Sequence, residues 1–284
     1  MGISVNTNLA SLTAQKSLGK STTDMNTAMQ RLSTGYKINS SKDDAAGMAV
    51  ASKLNYKLSS YNVAKSNAQM GESMLDTAES IMSTIQANLQ RIRDLTEQAA
   101  NGTYGSDSMT AIVKEVQSRV EEITRISASV EFNGKYLLNG SIEDDINLQV
   151  GIENNENSII KLSASLFADA SSKSLLGIEE IEDIKEKYQN DTTAREFLTN
   201  IDDALAEITD RVSQIGGIQQ RLVTVLEATE TLYTSVTGAV SSIQDVDVAE
   251  ESTSYIKEQI LQQLSTSMLS VANQSPAIAL SLLS

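Results

Sequence analysis

The chain has 284 residues and a formal net charge of −15, with no Cys, no His, no Trp and one Pro. This acidic balance argues against nucleic acid as a partner, because binding to phosphates requires a basic surface. Cys and His provide the ligands and general bases of many metal and catalytic sites, and this chain has neither residue. We therefore predict a protein that is not an enzyme and has no catalytic residue, no cofactor and no metal site.

The sequence also shows no sign of a membrane segment. No apolar run approaches the length that crosses a bilayer. The first residues lack the basic region and apolar core of a cleaved secretory signal. We expect no membrane insertion.

The N-terminal stretch predicts a helix over Val5–Leu32, ended by Gly35 and followed by a polar connector over Ser33–Lys42. Its apolar stripe is thin and would be marginal alone in water. A long helix then begins near Asp43 and ends at Asn101-Gly102, where an Asn-Gly pair acts as a stop. The apolar positions of this long helix are Tyr61, Ala64, Ala68, Gly71, Leu75, Ala78, Met82, Ile85, Leu89 and Ile92.

A further helix is predicted over Ser106–Val130, with Asn133-Gly134 as its stop. Between Asn139 and Leu166 the apolar period changes to two, which is typical of a β-hairpin with one apolar face. Leu175–Tyr188 reads as a short acidic segment. Thr193 and Glu196 are spaced as a capping box at the start of the next helix.

The strongest pattern lies over Ile201–Ile243, where apolar residues alternate at four- and three-residue spacing and only Gln219 and Thr229 interrupt them. This spacing is the seam of a long helix packed lengthwise on other helices.

Asp245–Asp247 breaks the pattern before a last helix. Beyond Glu258 the final 26 residues carry no charge, so this segment should need a partner. Ser275-Pro276 predicts a separate short helix at the end.

These elements predict a mainly α fold, an elongated antiparallel helical bundle or coiled coil with a small β-hairpin insertion. The predicted division is 1–42, 43–174, 175–244 and 245–284, with the two terminal helices running together. Because those helices bury only one side against each other, we expect copies of the chain to cover the rest and form an open helical filament. The predicted self-assembly residues are Leu9, Leu12, Leu18, Met25, Leu32, Ile256, Ile260, Leu264, Met268, Val271, Leu282 and Leu283.

Several motifs resemble those of the bacterial flagellins. The stretch 31–49 (RLSTGYKINSSKDDAAGMA) is similar to their N-terminal signature. Further matches, in the expected order, are QRIRDL at 90–95, FNG at 132–134, QILQQ at 259–263 and ANQSP at 272–276. The resemblance covers residues 1–140 and 195–284.

The resemblance implies a secreted subunit of the extracellular flagellar filament. The terminal helices (1–42 and 245–284) would form an inner tube, called D0, and the seamed helices with the hairpin an outer tube, called D1. The centre has no room for outer variable domains. Implied partners are further copies of the chain, the flagellar export apparatus, a cytoplasmic chaperone on the C-terminal segment, and the filament cap and junction proteins.

An innate immune receptor, Toll-like receptor 5, is also implied as a partner. The resemblance places its contact face at Leu89, Gln90, Arg91, Leu95 and Glu115. Thr96-Glu97 departs from the small, apolar pair common at that place in the family. Two other functions remain open: a hook–filament junction protein, which has similar termini, and a secreted translocator that inserts in membranes.

Overall fold

The computed structural model describes residues 7–281, apart from the side chains of Ile181 and of residues 275–281. It confirms the predicted mainly α class, with 76% of residues helical. The helices are α1 (Leu9–Thr34), α2 (Ala45–Ala99), α3 (Ser106–Ser129), α4 (Ser172–Leu176), α5 (Ile181–Lys187), α6 (Asp191–Gln244) and α7 (Val248–Ser281).

Two short hairpins follow α3. In the first, β1 (Glu131–Phe132) pairs with β2 (Lys135–Tyr136) around Asn133 and Gly134, both at positive φ. Two consecutive residues with positive φ are the signature of a type I′ turn. In the second, β3 (Ile146–Gln149) pairs antiparallel with β4 (Ile159–Leu162). The second is the hairpin that the alternating pattern predicts, whereas the first was expected only as a helix stop.

The chain forms two compact units. One, the terminal unit, comprises Met1–Leu58 and Thr234–Ser284, and the other, the central unit, is Ser59–Tyr233. The divisions fall inside α2 and α6 rather than at the connectors. The four-segment division predicted from the sequence stays a prediction.

In the terminal unit α1 and α7 lie antiparallel. Three polar contacts define the register, because their residue numbers rise towards the end of α1 as they fall along α7. These pairs are Asn8 with Ala272, Thr22 with Gln262, and Arg31 with Glu251. Backbone hydrogen bonds from Lys37 to Gln244 and from Val246 to Gly35 hold the connector at the other end.

The connector is ordered by its own carboxylates. Oδ2 of Asp43 accepts hydrogen bonds from the backbone and side chain of Ser40 and from the Asn39 amide. These bonds, those from Ser40 first, hold the pKa of Asp43 below its ordinary value. Asp44 accepts from the amides of Ala46 and Gly47 and so caps α2.

The central unit packs α2 antiparallel to α6, with α3 against both through one apolar core. Every predicted seam position of α2 from Ala64 to Ile92 is buried. On α6 the seam positions Ile201, Ile208, Ile215 and Leu222 are buried and Leu205 and Val212 are half-buried, so the seam prediction is confirmed from Ile201 to Leu222. Beyond Leu222 the predicted positions are only half-buried, whereas Thr229, predicted to interrupt the seam, is buried. Each fully buried Ile or Leu contributes about 1.5–3 kcal/mol. The β3–β4 hairpin packs on α2 where Gly71 leaves space for Leu148.

Two local predictions are wrong. The capping box at Thr193 does not form, since α6 already begins at Asp191 and the Thr193 hydroxyl bonds with Asn190. No new helix begins at Pro276, since α7 is continuous to Ser281.

Candidate assembly surface of the terminal helices

The α7 helix exposes a row of large apolar side chains. Ile256, Ile260, Leu264, Met268 and Val271 are between 52% and 67% exposed. All five belong to the residues predicted from the sequence to mediate self-assembly. Exposed apolar surface of this extent on a helix is typical of an interaction site.

The predicted residues on α1 divide into two groups. Leu9 and Leu12 are exposed, whereas Leu18, Met25 and Leu32 are half-buried beside α7. The second group therefore has surface left after α1 and α7 have paired. The predicted Leu282 and Leu283 lie outside the described residues.

Leu9 on α1 and three of the exposed residues on α7 (Leu264, Met268 and Val271) border a groove between the two helices. The groove has a volume of about 810 Å³. Its lining combines small side chains with the large apolar side chains of Leu9, Leu264 and Met268. Its full lining is Leu9, Ala10, Thr13, Ala14, Ser17, Leu264, Ser265, Met268, Val271 and Ala272.

Asn8 fastens the two helices together at this groove. Its side-chain oxygen accepts from the Ser11 amide and caps α1, while its amide nitrogen donates to the Ala272 carbonyl at 2.7 Å. That carbonyl would ordinarily accept from the residue four positions on, which is Pro276 and has no N–H. Asn8 thus satisfies the acceptor that the proline leaves free. The sequence analysis started this helix at Val5 and so missed the cap, although Asn is among the residues favoured at that position.

Charge is divided unevenly between the two units. The terminal unit carries eight Lys or Arg and eight Asp or Glu, a net charge of zero, and the central unit carries 14 and 29, a net charge of −15. The whole net charge of the chain therefore belongs to the central unit. Copies that meet through their terminal units would bring together surfaces without net repulsion.

The predicted receptor face lies in the central unit and needs a correction. Gln90 and Arg91 are exposed, and Nε of Arg91 lies 2.8 Å from a carboxylate oxygen of Glu115 on α3. The hydrogen bond from Arg91 holds the pKa of Glu115 below its ordinary value. Leu89 and Leu95, however, are buried in the core. Their side chains offer no surface, because Leu89 is a seam position of α2 and Leu95 continues the same buried face three residues beyond Ile92.

Next to this face, α2 uses polar side chains to hold its neighbours. Arg93 pairs with Asp202 on α6 at 2.6 Å. Thr96 is fully buried, and its hydroxyl bonds with the Tyr188 phenol. The ring of Tyr188 packs edge-on against Phe197. Thr96 thus stabilises the core rather than presenting a recognition surface.

Across the part of the chain that the structure describes, no group of acidic side chains is placed to hold a metal ion. Within that same part, no helix combines the length and apolar character needed to cross a bilayer.

Comparison with known proteins identifies the family of the chain that carries this surface. A family model for the bacterial flagellin N-terminal helical region matches residues 5–143, and one for the C-terminal helical region matches residues 198–283. The chain is 33% identical to a flagellin of Halalkalibacterium halodurans over 98% of this chain and 99% of that protein. It is 35% identical to a flagellin of Xenorhabdus nematophila over 98% of each.

The chain belongs to the bacterial flagellin family. A flagellar filament core protein of Treponema phagedenis is 32% identical over 98% of this chain and 99% of that protein. Flagellins are structural proteins that self-assemble into the extracellular flagellar filament, and this chain is such a filament subunit. A flagellar hook-associated protein of Vibrio parahaemolyticus superposes with a TM-score of 0.59 over 72% of this chain and all of that one. At 16% identity that likeness shows the fold alone.

Proposed function

We propose that this flagellin assembles through its terminal unit, with the exposed face of α7 and the groove beside α1 covered by neighbouring copies. The observation that supports this most directly is the row of five exposed apolar side chains on α7. Burial of such surface is worth roughly 25 cal/mol per Å². The zero net charge of the terminal unit removes the electrostatic cost that contacts between central units would carry.

Two changes test this surface. Leu264 is 55% exposed, so Leu264→Asp should leave the subunit folded but prevent sedimentable filaments. Gln263→Asp is the matched control, since it adds the same charge at an adjacent exposed position. A truncation after Glu258 should likewise keep the central unit and lose assembly. Normal filaments from Leu264→Asp or from the truncated chain would remove the terminal unit from this role.

The same exposed face supports a proposal about partners before assembly. A subunit with so much apolar surface on α7 would aggregate unless that surface were covered, so we expect a cytoplasmic chaperone on the C-terminal segment and delivery through the flagellar export apparatus. Calorimetry with the flagellar chaperone of the same bacterium tests this. Full-length protein should bind and the chain truncated after Glu258 should not. Equal binding by the two would mean that the chaperone binds outside the C-terminal segment.

Cap and junction proteins would contact the same terminal surfaces at the filament ends.

Recognition by Toll-like receptor 5 is a separate proposal. It is supported by the exposed Gln90 and Arg91 and by Glu115 beside them. Arg91→Ala should lower receptor signalling by monomers while shifting stability by no more than about 1 kcal/mol, since exposed ion pairs contribute little. Lys114→Ala, an exposed change next to Glu115, is the control. Undiminished signalling by Arg91→Ala would exclude this face.

A further inference from the structure

The methionines of this chain differ widely in exposure. Eight of the nine lie in the described residues. Met74 and Met82 are buried at 6% and 0% exposure, whereas Met268 is the most exposed at 66%. The chain has no Cys. Its thioethers are therefore its only sulfur atoms available to peroxides.

Met268 lies in the proposed assembly surface, where a more polar side chain would disturb contacts with other copies. It lies in the exposed apolar row of α7 and borders the groove beside α1, together with Leu264 and Val271. Met29 is also in the terminal unit and is 48% exposed, but it does not line that groove. Met70, 54% exposed, lies in the central unit.

We infer that Met268 is a peroxide-sensitive modification site whose oxidation in the free subunit blocks filament assembly. This inference rests on the assembly role proposed for the terminal unit. The oxidant is hydrogen peroxide. A sulfur lone pair attacks one peroxide oxygen, the O–O bond breaks, the sulfur gains that oxygen as a sulfoxide, and the second oxygen leaves as water with both protons. The thioether loses two electrons and the peroxide gains them.

The product explains the effect on assembly. A sulfoxide is polar and chiral and accepts hydrogen bonds, so it disfavours the apolar contact that the thioether makes. Copies packed on the face of α7 would have to bury that oxygen without a partner, which is costly. Once the filament has formed, the same packing would shield the sulfur. Oxidation would then act on subunits and spare the polymer.

The experiment treats purified subunits with hydrogen peroxide at neutral pH. Peptide mass mapping follows each methionine, and sedimentation then measures the critical concentration for assembly. Met268 should oxidise well before Met74 and Met82, and the critical concentration should rise at least about tenfold. Each variant is compared with its own untreated critical concentration. The ratio of treated to untreated should stay near one for Met268→Leu, whereas for Met29→Leu and Met70→Leu, the matched controls, it should rise as it does for the parent. In filaments Met268 should oxidise more slowly than in subunits.

Two results would overturn the inference: Met268 oxidising no faster than Met82 in free subunits, or Met268→Leu losing assembly as the parent does. The truncation after Glu258 separates these from a failure of the proposed function. If the truncated chain cannot assemble but protein oxidised at Met268 assembles normally, only the modification site is wrong. If the truncated chain assembles, the assembly role itself is wrong.

Discussion

The side chain of Asn8 donates a hydrogen bond to the carbonyl of Ala272, 264 positions later in the chain. The same side chain caps α1 through the Ser11 amide. One residue thus starts one terminal helix and completes the hydrogen bonding of the other, at the point where Pro276 supplies no N–H.

Substitutions of Asn8 can separate its two roles, the cap of α1 and the hydrogen bond to Ala272. Asn8→Asp keeps the acceptor that caps α1 and removes the donor to Ala272, so it should weaken the pairing of α1 with α7 by about 1 kcal/mol. Asn8→Ala removes both and should cost about twice as much. Hydrogen exchange of the α1 and α7 amides measures each loss.

A proline substitution supplies the control for Asn8. Pro276→Ala provides a backbone N–H for the Ala272 carbonyl, so Asn8→Asp should be nearly neutral in that background. An equal cost in both backgrounds would show that the donor to Ala272 contributes nothing.

The packing around Gly71 leads to a second prediction, because a Cβ at this position would overlap Cδ1 of Leu148. Gly71→Ala should therefore destabilise the central unit by about 1–2 kcal/mol, despite the better helix propensity of Ala. Gly217→Ala on α6 is the matched control. Nothing lies within 4 Å of its Cβ position, so it should stabilise by about 0.5–1 kcal/mol. Thermal unfolding of both variants decides the point, and two changes of the same sign would contradict the packing of the hairpin on α2.

The buried phenol of Tyr188 should make the stability of the central unit depend on pH in the alkaline range. Burial raises the pKa of its phenol above the ordinary value near 10, and the hydrogen bond with Thr96 lowers it only in part. The folded state therefore favours the protonated phenol. This contribution to stability is complete below the unfolded pKa, near 10, and is lost as pH rises beyond it. The parent should lose stability above pH 10 more steeply than Tyr188→Phe. Parallel curves of unfolding free energy against pH for the two proteins would refute this.

The division of charge predicts how assembly responds to salt. Repulsion between copies arises from the central units, and salt screens it over about 8–10 Å. The critical concentration should fall as ionic strength rises. A triple variant, Glu186→Gln, Asp203→Asn and Glu227→Gln, removes three exposed charges of the central unit and should flatten this dependence. Lys114→Gln makes the unit more negative and should steepen it. Sedimentation across a salt series gives the slopes, and identical slopes would rule out the central unit as the source.

Burial also predicts where the free subunit opens first. Only Ser21 and Ala28 are buried on α1, whereas α6 buries nine residues. Amides of α1 and α7 should therefore exchange faster than those over 201–222, and assembly should slow them. Equal protection in the free subunit would mean that the terminal helices do not depend on neighbours for stability.

The sequence by itself determined the long helices and, over much of their length, the faces that they bury. A helix that packs lengthwise must place an apolar residue inward every three or four positions, so the seams from Ala64 to Ile92 and from Ile201 to Leu222 are visible without coordinates. The alternating β3–β4 hairpin is visible for the same reason. A strand of two residues has no period to detect, which is why β1 and β2 were missed. The flagellin motifs also identified the family directly.

The tertiary structure alone decided which residues meet across the chain. Arg91 pairs with Glu115 rather than with a neighbour on its own helix, and Asn8 reaches Ala272, because antiparallel packing brings together residues far apart in sequence. It also decided that Leu89 and Leu95 are core residues. A motif states which residues occur together, whereas a helix turns about 100° per residue, so adjacent motif positions lie on different sides of the helix. Exposure depends on what packs against each face, and that is a property of the assembled fold.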